Sequence, residues 1–122
     1  MPAACLMRRE RADPTPCARG RIKVKSNGNG NDWMRHIIMI PGLGSDDAIW
    51  RRTIAELGSD FRCVVGDTLQ DSTLPGMARR ILDGSPDKFV LAGVSMGGMV
   101  AMELMRLAPS RVTHLALIGT NA

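Results

Sequence analysis

Ser95 stands between two glycines in Gly93-Val94-Ser95-Met96-Gly97, where the apolar run "FVLAG" gives way to a helical pattern. G-x-S-x-G between a strand and a helix is the setting in which a serine hydroxyl can serve as a nucleophile, held above a sheet on a tight, strained turn. Side chains at the flanking positions would collide with the neighbouring strand and helix, so Gly93 and Gly97 are expected as turn glycines. The helix begins just behind Ser95, and its free N–H groups and dipole favour the negative charge that develops during acyl transfer. One oxyanion donor should be the amide of Met96. A second must come from a loop after an earlier strand. "PGLG" at 41–44 is placed to supply it, with Gly42 turning the chain and the Leu43 amide as donor.

A serine hydrolase also needs a base and an acid to orient it, in the order Ser, acid, His. After Ser95 the sequence offers only Glu103 and His114. Glu103 falls about 12 Å along the helix that starts at Ser95, where a salt bridge to Arg106 or Arg111 suits it better than catalysis. His114 and His36 both fall early in their strands, at the end of a parallel sheet away from the site. The chain thus reads as a nucleophile and an oxyanion hole without a base, and an unactivated Ser is a weak nucleophile.

The elements that must position these residues follow from the apolar pattern. "HIIMI" (36–40) is a buried strand stopped by Pro41 and Gly42. "DDAIWRRTIAEL" is a helix capped by Asp46 or Asp47, with Ile49, Ile54 and Leu57 on its apolar side. "FRCVVGD" is the second strand, and "LPGMARRIL" the second helix, starting at Pro75. "FVLAG" is the third strand, 96–108 the third helix, ended by Pro109, and "VTHLALIG" the fourth strand. Met96, Met99, Met102 and Met105 recur at spacing three on the third helix and read as a core stripe. This βαβαβαβ order predicts the α/β class, a parallel sheet with flanking helices and functional loops at the carboxyl ends of the strands.

Composition limits the alternatives. The chain has 122 residues, 44% of them hydrophobic, and a formal charge of +4. That charge belongs to one end: residues 1–31 carry seven basic and two acidic residues, while the rest carries nine basic and ten acidic. Residues 1–32 therefore read as a basic, disordered leader closed by the linker "SNGNGND", with the folded domain over 33–122. Met34, just before the first strand, is the expected working start. Without interleaved aromatics the leader is not expected to bind nucleic acid, and no apolar run is long enough for a membrane span. Cys5, Cys17 and Cys63 are scattered and odd in number, which argues against disulfides and zinc and for a reducing, cytoplasmic setting. Neither a cofactor nor a metal is expected.

Taken together, "IMIPGLGSDDAIW" and "DKFVLAGVSMGGMVAMELMRLAPSRVTHLALIGTNA" resemble the amino-terminal half of an α/β-hydrolase-fold protein, in particular the small bacterial pimeloyl-carrier methyl ester esterases that open "LPGL". The resemblance covers about residues 35–122. It implies hydrolysis of a small acyl ester or thioester with Ser95 as nucleophile and Leu43 and Met96 as oxyanion donors. It also places the second and fourth strands at the outer edges, so that "VTHLALIG" would be an exposed apolar edge open to self-association. The acid and His of such proteins lie beyond the segment matched, so the chain is expected to be incomplete and weakly active or inactive. Pro41 replaces the His common before the oxyanion glycine, and "GDTLQDSTLPG" lacks the D-x-P-G-x-G-x-S run of many relatives. Two alternatives stand beside this reading. One is a non-catalytic fragment or one half of a split protein. The other is a dinucleotide-binding half-domain using Gly42, Gly44 and Asp67, although an acid replaces the third glycine of that fingerprint.

Overall fold

A computed structural model describes residues 35–121. The expected leader and the Met34 start lie outside the described residues. Four strands, β1 (His36–Ile40), β2 (Arg62–Val65), β3 (Phe89–Val94) and β4 (Val112–Ile118), form one sheet in the order β2-β1-β3-β4. Every neighbouring pair is parallel, with Ile38 opposite Val64 and Leu91, and Ala92 opposite Ala116. The helices are α1 (Arg51–Leu57), α2 (Leu74–Asp83) and α3 (Met96–Leu107).

β1 is buried along its whole length, as a central parallel strand covered on both faces must be. Its residues divide by the period of two. Ile38 and Ile40 join Phe89 and Leu91 in a core shared with Met77, Ala78 and Ile81 of α2 and Val100, Ala101 and Leu104 of α3. Ile37 and Met39 face the other way, with Cys63, Val65 and Ala92, against Trp50 and Ile54. The sheet is thus the middle of three layers, α1 on one side and α2 with α3 on the other.

Local chemistry sets the helix starts. Asp46 accepts the Ala48 amide at 2.9 Å and opens a 3-10 turn, Asp47–Trp50, that runs into α1. The tighter winding of that turn shifts the apolar phase, so Trp50 is buried and Ile49, expected on the inner side, is 48% exposed. α2 begins one residue earlier than expected, at Leu74, because Thr73 caps it by accepting the Gly76 amide at 3.2 Å. The methionine stripe is corrected as well. α3 buries Gly97, Gly98, Val100, Ala101 and Leu104, whereas Met99 is 40% exposed. A spacing of three falls short of the helical turn of 3.6 residues, so four such positions wind halfway round the helix instead of keeping to one face.

The β3–β4 seam carries a register shift at Phe89/Val90. It is held by Arg111, which donates to the Leu82, Ser85 and Pro86 carbonyls at 3.2, 2.9 and 2.8 Å, and whose guanidinium lies 5.8 Å from the centroid of the Phe89 ring. β4 forms the free edge beyond it, and Leu115, Leu117 and Ile118 are 40%, 41% and 49% exposed.

Cys63 is the small buried hydrophobe its apolar run implies. Burial pushes its thiol up from 9.0 to about 11. The core accepts only the neutral thiol, so this contribution to stability is complete below pH 9 and is lost as the pH rises towards 11, where the unfolded thiol ionises and the folded one resists. Urea midpoints measured from pH 8 to 11 should therefore fall more steeply for the natural chain than for Cys63→Ala. Parallel slopes would mean that the thiol is open to water.

Candidate active site

Ser95 follows directly on β3 and is the N-cap of α3. Its φ of 53° with ψ of −120° makes it the sole non-glycine with positive φ among the described residues. Such a backbone costs on the order of 1–3 kcal/mol and survives only where its surroundings dictate it. Here the Ser95 amide donates to the Ile118 carbonyl at 2.9 Å, and the Ser95 carbonyl accepts the Gly98 amide at 3.0 Å. The Ser95 side chain makes no capping hydrogen bond, and the residue is exposed. Its hydroxyl is therefore not spent on closing the helix.

Both flanking glycines are required sterically. A Cβ on Gly93 would overlap the Gly97 carbonyl, and a Cβ on Gly97 would overlap the carbonyls of Ile40 and Pro41. The first turn of α3 thus presses on the carboxyl end of β1 with nothing between backbones. That contact also brings the Gly42 loop to Ser95. A Cβ built on Gly42 would stand 3.4 Å from the Ser95 Cβ and 3.5 Å from the Val94 carbonyl oxygen. Such distances are ordinary contacts, so the loop lies against the elbow without sterically forbidding a side chain at Gly42. The conformational demand of this turn falls on Gly44, whose φ is +69°. Ser45 secures the turn by donating both its amide, at 3.2 Å, and its hydroxyl, at 2.8 Å, to the Gly42 carbonyl. Leu43, at the apex, is 82% exposed.

The structure thus brings together Ser95, Met96, Gly93, Gly97, Gly42 and Leu43 at one end of the sheet. Helix geometry leaves the Met96 and Gly97 amides without intrahelical partners, so this end of the sheet offers backbone donors beside a serine hydroxyl. The two histidines and Glu103 lie elsewhere. His114 is opposite Val90, four residues before Ile118 on β4, which is about 13 Å at the usual rise per residue. His36 is the first residue of β1, buried and equally far from its carboxyl end. Glu103 accepts from Arg106 Nε at 2.9 Å and Nη2 at 2.7 Å, and this hydrogen-bonded guanidinium holds its carboxyl below the usual range. Asp67 accepts the Leu69 amide at 2.9 Å and so closes its own turn. Among the described residues no group of His, Cys, Asp and Glu could hold a metal ion, and no helix is long and apolar enough to cross a membrane.

Sequence reasoning missed Ser45, a small polar residue after Gly44. Thr120 is expected near the site from its place at the end of the fourth strand, but its contact there is not: the side chain packs against Gly98 in the first turn of α3, a contact between residues 22 apart that no local pattern announces.

A parallel sheet in the order β2-β1-β3-β4, helices on both faces and a positive-φ serine between β3 and α3 are features of the α/β-hydrolase fold, and the chain belongs to the α/β-hydrolase fold family. Its sequence is similar to the pimeloyl-[acyl-carrier protein] methyl ester esterases of Legionella pneumophila (34% identity over 90 residues, 70% of this chain and 38% of the relative) and Vibrio parahaemolyticus (30% over 105 residues, 80% and 40%). The chain thus spans about two fifths of the length of these curated relatives. Among solved structures, it is similar to a bacterial membrane phospholipase A described as a virulence factor (TM-score 0.64, 26% identity, 73% of this chain and 33% of that one). It is also similar in fold to the 2-hydroxy-6-oxo-6-phenylhexa-2,4-dienoate hydrolase of Rhodococcus sp. strain RHA1 (TM-score 0.61, 24% identity, 71% and 38%). No protein-family model matches the chain.

Proposed function

We propose that this chain is the nucleophile-bearing part of an ester hydrolase, acting on a small carboxylic ester or thioester through Ser95. The observation that carries this reading is the Ser95 backbone, strained at φ 53° with its side chain free of any capping bond. Nothing in local folding requires a non-glycine in that conformation, whereas an exposed nucleophile on a strand-to-helix turn does. In this mechanism Ser95 Oγ attacks the acyl carbon, the carbonyl electrons move onto oxygen, and the Leu43 and Met96 amides receive the oxyanion. Collapse expels the alcohol or thiol and leaves an acyl-Ser95 ester, which water then cleaves. The similar curated proteins support the acyl class, since both are methyl ester esterases.

The proton from Ser95 needs a base, and both described histidines belong to the opposite end of the sheet. In this proposal the base and acid come from sequence outside this chain, and the chain alone is weakly active or inactive. Fluorophosphonate labelling with peptide mapping, run beside p-nitrophenyl butyrate turnover, tests both parts. Slow modification confined to Ser95, lost in Ser95→Ala, with negligible turnover is the expected result. Modification elsewhere, or none, would remove Ser95 from its role and favour the non-catalytic reading. Brisk turnover abolished by Ser95→Ala would show instead that the chain has its own base.

A further inference from the structure

We propose that Thr120 is a positioning residue for Ser95: it wedges the first turn of α3 from the β4 side and so helps to keep the Ser95 backbone at positive φ. The inference rests on the reading of Ser95 as nucleophile for its functional part, and on packing alone for its structural part.

The strained turn is gripped on several sides. Gly97 abuts the Ile40 and Pro41 carbonyls at the end of β1, and Gly93 abuts the Gly97 carbonyl. Both are contacts of backbone with backbone. The third contact is of a different kind. A Cβ built on Gly98 would stand 2.5 Å from Thr120 Cβ, 2.6 Å from its Oγ1 and 2.7 Å from its Cγ2, so the branched side chain fills the space that a side chain at Gly98 would take. Gly98 in turn is tied to Ser95, since its amide donates to the Ser95 carbonyl at 3.0 Å. Thr120 reaches this position because Gly119, at φ +54°, turns the chain after β4. Just before that turn the Ile118 carbonyl accepts the Ser95 amide. Residues 118–120 therefore hold both peptide groups of Ser95, one by a hydrogen bond and the other through Gly98.

Without the wedge, the first turn of α3 is free to move towards β4. Ser95 can then relax, and its hydroxyl leaves the loop amides that would receive the oxyanion. The hydroxyl of Thr120 has only a long contact, 3.5 Å to the Asn121 carbonyl, so the branched shape and not the polarity should matter.

Two measurements test this on the full chain. In the first, pseudo-first-order rates of labelling by a fluorophosphonate are compared between the natural chain, Thr120→Gly and Thr120→Val. Thr120→Gly should label roughly tenfold more slowly, in line with the sensitivity of such steps to small misplacements, while Thr120→Val, which keeps the branched volume, stays within about twofold of the natural rate. The second is a thermal double-mutant cycle that needs no chemistry. Ser95→Gly, which relieves the positive φ, should raise the unfolding temperature of the natural chain and fail to do so in Thr120→Gly. If Thr120→Gly does not fold, Thr120→Ser, which drops only the methyl, takes its place in both arms with the same signs. Equal labelling rates together with an unchanged gain from Ser95→Gly overturn the proposal. A natural chain that does not label at Ser95 removes the nucleophile reading, and the cycle still decides whether Thr120 holds the turn.

Discussion

Gly97→Ala should destabilise the fold by about 3 kcal/mol or more and end any labelling of Ser95, as read by urea unfolding and fluorophosphonate modification. Added methylenes in a packed core commonly cost about 1–3 kcal/mol because flexible side chains can yield. At Gly97 there is nothing flexible to yield. The new methyl would meet the carbonyl of Ile40, the last residue of the fully buried central strand β1, and that of Pro41 just after it. Relief requires α3 to lift from the sheet, which opens the core around Val100, Ala101 and Leu104. It also separates the Gly42 loop from Ser95, so stability and site geometry should fall together. Gly42→Ala is the informative contrast, since its Cβ would stand 3.4 Å or more from its neighbours and should be tolerated. Equal losses in the two variants would contradict the steric account.

Phe89→Ala should cost about 3–5 kcal/mol, the range for deleting a buried aromatic ring. That is a large share of the roughly 5–15 kcal/mol that holds a domain together. Phe89 is fully buried and begins β3, and its surroundings concentrate the loss. Its amide donates to the Arg111 carbonyl at 3.0 Å and its carbonyl accepts the Thr113 hydroxyl at 3.0 Å. The ring also lies under the Arg111 guanidinium that joins the α2–β3 connection to β4. Removing it leaves a cavity and loosens the register shift between β3 and β4. Arg111→Met, which keeps most of the packing, should cost less than Phe89→Ala in the same urea titration. The reverse order would mean that the carbonyl cluster, and not the ring, holds this seam.

What the sequence disclosed and what it concealed follow from the range of the interactions involved. The strands and the Ser95 turn were legible because apolar runs, Gly93 and Gly97 act within a few residues. The edge position of β4 was legible only through the family resemblance. The phase of the first helix was misjudged at Ile49 because a 3-10 turn precedes α1, and apolar spacing alone does not distinguish 3.0 from 3.6 residues per turn. The methionines misled for a related reason: a repeat of three was taken for a stripe, while the glycines between them bear on the sheet. Gly42 and Gly44 both belong to the turn that Ser45 closes, but only Gly44 has a positive φ, a division of labour that spacing does not carry. The Thr120–Gly98 contact and the reach of Arg111 depend on strand register, which no spacing encodes.

The strand order β2-β1-β3-β4 has one more implication. From β1 the chain runs outward to β2 on one side, then crosses back over β1 and continues through β3 to β4 on the other. The connections leaving β1 and β3 therefore diverge, and right-handed crossovers send α1 to one face and α2 and α3 to the other. Between two diverging connections the backbone cannot close over the sheet, so a crevice at that seam follows from topology before any side chain is chosen. Gly42 and Ser95 are the residues on its two banks.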